Sequence, residues 1–116
     1  MSYSENQLIK LAQTNPKELA RILTSPNKDF HMLTFGVEIL CEEIKDETIT
    51  IPVIRQLLKH INAIVREGAV IGASCFFTSK KPPQDILDRL IIMSNTDPSP
   101  SIKEAAKDTL KSFESV

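Results

Sequence analysis

The sequence contains few residues of the types that sheets and membrane spans require. It has no tryptophan, one tyrosine and five phenylalanines among 116 residues, and this scarcity of aromatic side chains favours helices over a sheet. The longest uncharged apolar run, residues 68–77, is about half of the roughly 20 residues that a helix needs to cross a bilayer. The first residues, "MSYSENQLIK", lack a basic region followed by an apolar one, so we expect neither a secretory signal nor a membrane span.

Neither sign of charge dominates the sequence. The 14 basic and 15 acidic residues give a formal net charge of -1, which does not favour nucleic acid as a partner. A composition of 41% hydrophobic and 25% charged residues is typical of a soluble globular protein, and the length suits one domain. These totals predict a single cytoplasmic domain over residues 1–116.

Cysteine is also scarce, and neither cysteine belongs to a recognisable motif. Cys41 and Cys75 fall on or beside apolar helical faces, which indicates small buried side chains in a reducing compartment. A nucleophile, a disulfide or a zinc site are the alternatives, but His31 and His60 stand in no catalytic motif and the paired spacing of a zinc site is missing. No Gly-rich phosphate loop, HExxH or nucleophile elbow occurs. We therefore expect no enzyme activity, no cofactor and no metal.

Apolar residues recur at every third or fourth position along most of the chain, and prolines and small polar residues interrupt this pattern. Ser4, Asn15 and Asn62 are predicted to be helix N-caps. Pro52 is predicted to open the fourth helix, whose apolar face ends with Ile61. The pattern predicts seven helices, at about 4–13, 16–23, 29–44, 51–61, 63–77, 83–94 and 100–113.

The helices after the first form three pairs with a period of 32 to 37 residues. The first helices of the pairs follow a proline, in "PKELARILTS", "PVIRQLLKHI" and "PQDILDRLIIM", and alignment of the second helices places Gly36, Gly68 and Ala105 at one position. A pair of helices of this size cannot bury its apolar faces alone, so such units stack into a solenoid. Gly68 and Gly72 each cost a helix about 1 kcal/mol relative to alanine. We expect these small residues where neighbouring second helices pack closely.

Two segments resemble a known family of helical repeats. "NAIVREGAVIGASCFF" (62–77) and "DPSPSIKEAAKDTLKSF" (97–113) are similar to the second helices of HEAT repeats. The residues that match the turn and the apolar-basic pairs of the family are Asp97-Pro98, Val65-Arg66 and Ile102-Lys103. The first unit departs from the pattern, because Leu33-Thr34 lacks the basic residue. The resemblance implies an all-α fold, an α-α superhelix or short solenoid of about three HEAT-like hairpins, at about 16–44, 52–77 and 83–115, with 4–13 as an N-terminal capping helix.

The resemblance also implies a function. HEAT-like proteins are generally non-catalytic scaffolds that hold another protein on the surface lined by the second helices. The polar positions beside the small residues are therefore candidate protein-binding residues: Glu38, Arg66, Glu67, Ser74, Lys103, Lys107 and Lys111. For Arg66 and Lys103 the family also implies pairing with turn acids of adjacent units. We expect a monomer or weak dimer, because the first and seventh helices can cap the two ends of the stack.

The resemblance to HEAT-like proteins also implies two alternative functions, DNA binding and a lyase-like or chaperone-like role. Some HEAT-like proteins bind DNA, and a basic patch could form at the C-terminal end from Lys80, Lys81, Lys103, Lys107 and Lys111. Acidic residues are interleaved with these lysines, and affinity for a duplex depends on neutralising several phosphates at once. Other short HEAT-like proteins resemble bilin lyases and related chaperones, which implies a lyase-like or chaperone-like protein acting on a protein-bound cofactor.

Overall fold

The helices begin at short polar side chains that accept hydrogen bonds from free backbone N–H groups. In the computed structural model, which describes residues 2–114, Ser4 accepts the N–H of Gln7, and Asn62 accepts those of Ile64 and Val65. This part of the chain contains seven helices and no strand, so the all-α fold class is confirmed. The helices are α1 (Glu5–Thr14), α2 (Pro16–Thr24), α3 (Phe30–Glu43), α4 (Glu47–Leu57), α5 (Ala63–Phe76), α6 (Gln84–Thr96) and α7 (Pro100–Glu114).

The predicted start of the fourth helix is wrong. Asp46 caps α4, because its carboxylate accepts the backbone N–H of Thr48 at 2.9 Å and the hydroxyl of Thr48 at 2.6 Å. Pro52 therefore lies inside the helix, although a proline there removes one backbone hydrogen bond. The hydroxyl of Thr50, which is buried, donates to the carbonyl of Ile44 at 2.7 Å and fixes the link before the helix. The local cap and this buried bond outweigh the preference of proline for the first turn.

The fourth helix also ends earlier than predicted, and this changes the position of Ile61. The helix ends at Leu57, and the N–H groups of Lys59 and His60 bond carbonyls only three residues back. This tighter turn leads the chain away from the helix axis. Ile61 is consequently 91% exposed instead of continuing the apolar face, so the predicted extent of that face is wrong.

The second helices of the pairs lie side by side. α3 packs against α5 and α5 packs against α7, and the first helices α2 and α4 also pack against each other. α1 covers α3, and α6 packs against α7. Buried side chains from all seven helices form one apolar cluster, in which Leu40, Ala69 and Ala73 are fully buried. Helix α5 is therefore the central element of the three second helices.

Gly68 and Gly72 are the residues at which α5 comes closest to α3. A Cβ atom at Gly68 would lie 2.8 Å from Cγ2 of Thr34 and 3.3 Å from its carbonyl oxygen, and one at Gly72 would lie 2.8 Å from Sγ of Cys41. No glycine among the described residues has a positive φ. The two glycines therefore serve close helix contact and not a turn.

Gly36 has a different neighbour from Gly68, although the repeat alignment places them at one position. A Cβ at Gly36 would overlap the side chain of Leu23, which belongs to the first helix of the same pair. Ala105, the third aligned residue, is half-buried on α7. The expected contact between second helices thus holds for the glycines of α5, whereas the missing side chain of Gly36 lets Leu23 of α2 pack closely against α3.

Candidate protein-interaction surface

Helix α5 leaves one row of side chains open to solvent between its neighbours. It packs on α3, α4 and α7, and its remaining side carries Ile64, Glu67, Ile71 and Ser74 at spacings of three and four residues. Ile64 and Ile71 are each about half exposed, and Glu67 and Ser74 are partly buried. This row therefore alternates apolar and polar groups on the accessible side of the central helix.

A matching row lies on α3. Phe35 is about half exposed, and Glu38 and Glu42 follow it at helical spacing. Burial raises the pKa of Glu38, and the nearby carboxylates of Glu42 and Glu67 raise it further. Because α3 packs against α5, the rows of the two helices lie next to each other. We call these seven residues the second-helix surface: Phe35, Glu38, Glu42, Ile64, Glu67, Ile71 and Ser74.

The three candidate lysines lie on α7, beside this surface. Lys107 forms an ion pair with Glu104 at 3.8 Å, in which both side chains are mostly exposed, so the pair contributes little to stability. Lys111 is exposed and Lys103 is half-buried. Within residues 2–114, neither Lys103 nor Lys111 forms an ion pair. The lysines thus do not neutralise the carboxylates of α3 and α5.

Arg66 makes its contacts within the protein. Its Nε and Nη2 donate to the two carboxylate oxygens of Asp97 at 3.0 and 3.1 Å, and its Nη1 donates to the carbonyls of His60 and Ile61. The Arg66 and Asp97 side chains are only 11% and 3% exposed. The pairing with a turn acid that the resemblance implies is therefore present for Arg66. Its guanidinium joins the turns of two helix pairs.

The pKa of Asp97 reflects a balance between burial and hydrogen bonding. Burial alone raises this pKa, because it disfavours the charged carboxylate. The hydrogen bonds from Arg66 and from the backbone of Ser99, together with the charges of Arg66 and Arg89, outweigh burial and hold the pKa below its ordinary value of 3.8. Asp97 is therefore a buried, charged partner of Arg66.

The two cysteines are free thiols on neighbouring helices. Cys41 is buried, and burial first, then the nearby Cys75, raise its pKa well above the ordinary value of 9.0. A thiol in that environment stays protonated and is a poor nucleophile. Cys75 is half-buried. In the described part of the chain, no group of three or more His, Cys, Asp or Glu side chains is placed to hold a metal ion.

Sequence reasoning missed the apolar members of the second-helix surface. Phe35, Ile64 and Ile71 do not stand out in the sequence, because α3 and α5 carry apolar residues on nearly every side. A helix that is apolar all round is usually buried. The sequence does carry one signal of this exposure: α3 and α5 have more large apolar residues than a single buried face can hold.

One of the basic residues of the DNA-binding alternative, Lys80, makes contacts within the protein. The ammonium group of Lys80 lies 4.9 Å from the centre of the Phe76 ring and 3.4 Å from a carboxylate oxygen of Glu47. Lys80 and Lys81 line a groove of about 490 Å³ whose floor is apolar, formed by Leu87, Ile91, Leu110 and Phe113. An apolar floor of this kind offers nothing to a phosphate backbone.

The lengths and composition of the helices also bear on a membrane location. The longest helix in the described range, α7, has 15 residues, whereas a bilayer span needs roughly 20. Across residues 2–114, none of the helices has both the length and the apolar character for crossing a membrane.

Comparison with protein-family models, with curated proteins and with solved structures finds no match to this chain.

Proposed function

We propose that this protein is a small non-catalytic scaffold of HEAT-like repeats, which binds another protein through the second-helix surface. The observation that carries the proposal is the exposure of large apolar side chains on two adjacent second helices. Phe35, Ile64 and Ile71 lie there among carboxylates, whereas most large apolar residues are in the core. Apolar groups grouped on a surface and surrounded by polar ones are typical of interaction sites.

Hydrogen bonds at matching positions support the repeat architecture. Gln56 on α4 donates to the carbonyl of Thr24 at the end of α2, at 2.9 Å. Arg89 on α6 donates to the carbonyl of Leu58 at the end of α4, at 3.3 Å. Gln56 and Arg89 each directly precede the aligned apolar pair of their own helix. The two donors therefore occupy matching positions, and each bonds a carbonyl at the end of the preceding first helix, although the two carbonyls differ by one position in the alignment.

The charge of the second-helix surface indicates the chemistry of the partner. Glu38, Glu42 and Glu67 take part in no ion pair among residues 2–114. A partner segment that carries lysine or arginine beside apolar residues would pair with these carboxylates and cover the exposed apolar groups. Such complementarity governs partner choice and association rate more than it governs affinity.

A photo-crosslinking amino acid placed on the surface tests the proposal. Benzoylphenylalanine is introduced at Phe35 or at Ile71, and, as a control outside both proposed surfaces, at Lys17, an exposed residue on α2. We expect both second-helix positions to crosslink the same protein in cells, Lys17 not to, and Glu67→Lys to reduce the yield. Equal adducts at all three positions, or adducts with nucleic acid, would contradict the proposal.

A further inference from the structure

A pocket that is separate from the second-helix surface lies at the turns of the two C-terminal helix pairs. It is a pocket of about 300 Å³ between the α4–α5 link and the C-terminal half of α6. Ile61 and Ile92 supply large apolar groups to this pocket, and Ile61 is almost fully exposed, while Ile92 is half exposed. Exposed isoleucines on the rim of a pocket lose unfavourable contact with water when a partner covers them.

The pocket carries two basic side chains that form no ion pair within residues 2–114. Arg89 is half-buried, and within residues 2–114 its only hydrogen bond is the one from Nε to the carbonyl of Leu58. Its two terminal amino groups are therefore free to donate. Lys59 is exposed and forms no ion pair in the same range.

Asp97 is the one acidic residue among the described residues that line the pocket, and it cannot balance the charges of Arg66, Arg89 and Lys59 together. Asp97 already accepts two hydrogen bonds from Arg66, and this pair is nearly enclosed. His60 adds no positive charge, because burial and then the charge of Arg66 lower its pKa, and its Nδ1 accepts the N–H of Asn62. The Arg66–Asp97 pair is neutral as a unit, so Arg89 and Lys59 leave the pocket positively charged.

We propose that this pocket binds a segment of a partner protein that carries a carboxylate beside a large apolar side chain. The terminal amino groups of Arg89 can hold a carboxylate in a two-pronged hydrogen bond, and Lys59 adds a mobile ammonium group at the rim. Ile61 and Ile92 would cover the apolar side chain of the segment. Arginine beside apolar groups in a partly desolvated pocket is a common source of binding energy at protein interfaces.

This pocket is separate from the second-helix surface in both position and chemistry. It is formed by turns and by α6, and it attracts acidic segments, whereas the second-helix surface is acidic and lies on α3 and α5. One site can therefore fail its test without affecting the other. Two sites of opposite charge would let one small scaffold hold two different segments.

The direct test uses three labelled peptides and the intact protein. The probe has glutamates flanking leucines between serines, and its counterparts replace glutamate by lysine or leucine by serine. Fluorescence anisotropy should show the probe binding at least about tenfold more tightly than either counterpart. Backbone amide NMR shifts should move at residues 59–62 and 89–96. Equal binding of the lysine peptide, absence of binding by the probe, or tighter binding of a DNA or RNA oligonucleotide at the same residues would overturn the proposal.

Variants at exposed positions keep this test independent of folding. Lys59→Glu and Ile61→Ser alter side chains that make no hydrogen bond or ion pair in the described range, so the fold should persist. Each should weaken binding of the probe at least about fivefold, as interface residues that matter do. Lys10→Glu, an equal change of charge on α1, is the matched control and should leave binding unchanged. An equal loss for Lys10→Glu and Lys59→Glu would reveal non-specific attraction and would overturn the assignment.

Discussion

Replacing Gly68 by alanine tests how closely α5 approaches α3. At an open helix position, alanine is more favourable than glycine by about 1 kcal/mol. At Gly68 the new methyl group would lie 2.8 Å from Cγ2 of Thr34 and 3.3 Å from both its Cα and its carbonyl oxygen. Thr34 cannot turn away freely, because its hydroxyl donates to the carbonyl of Phe30 at 2.9 Å.

The net effect of Gly68→Ala is therefore a loss of stability. Overpacking a well-packed contact costs about 1–3 kcal/mol, which exceeds the gain in helix propensity. We expect the free energy of unfolding to fall by about 1 kcal/mol, measured by urea denaturation with far-UV circular dichroism. For a domain of this size, the melting temperature should fall by about 4 °C.

Two further variants separate steric contact from helix propensity. Ser74→Ala lies on the same helix at a half-buried position and should raise the free energy of unfolding by about 0.5 kcal/mol or less. Thr34→Ser removes the clashing methyl group but keeps the hydroxyl, so in that background Gly68→Ala should cost about 1 kcal/mol less. If Gly68→Ala instead stabilises the protein, α5 does not approach α3 as described.

Three other predictions follow from the charges and thiols. Arg66→Ala should lower the free energy of unfolding by about 3 kcal/mol, since it leaves Asp97 buried without its partner. Because the pKa of Asp97 is lowered on folding, this stabilisation is present above about pH 4 and is lost as the pH falls through the lowered pKa. The urea denaturation curves of the wild-type protein and of Arg66→Ala should therefore converge in acid. A difference between the two proteins that does not change with pH would contradict the assignment. Glu38→Gln should raise the urea midpoint at neutral pH, since the raised pKa of Glu38 means that its charged form destabilises the fold. This difference between variant and wild type should vanish when the pH is below 4.5, the ordinary pKa of the group. A loss of stability at neutral pH would refute the like-charge contact. Iodoacetamide should modify Cys75 faster than Cys41 in the native protein, as followed by peptide mass spectrometry, whereas equal rates would show that Cys41 is accessible.

Local signals explain why the helices could be predicted from the sequence. Ser4 and Asn62 bond N–H groups two or three residues away, so their role depends on neighbouring residues alone. Pro52 misled the prediction because its preference for the first turn is a tendency, which the cap at Asp46 overrides. Ile61 misled it because the period continues in the sequence after the helix has ended.

The candidate surfaces depended on information that the sequence does not carry. Arg66 could be connected to a turn acid only through resemblance to a family, because Asp97 lies about a whole unit away in the chain. The exposure of Phe35 and Ile71 depends on how α3 and α5 rotate against their neighbours. Likewise, the free amino groups of Arg89 become apparent only when its neighbours in space are known.

The packing of α5 against α3 and α7 can be measured directly by NMR in solution. Carbon-edited NOE spectra should show a strong cross-peak between the Thr34 methyl protons and the Gly68 Hα protons. A second cross-peak should join the rings of Phe77 and Phe113, whose centres are 6.2 Å apart. Both signals together would establish the order of the three second helices. Absence of the Thr34–Gly68 cross-peak from a fully assigned spectrum would contradict it.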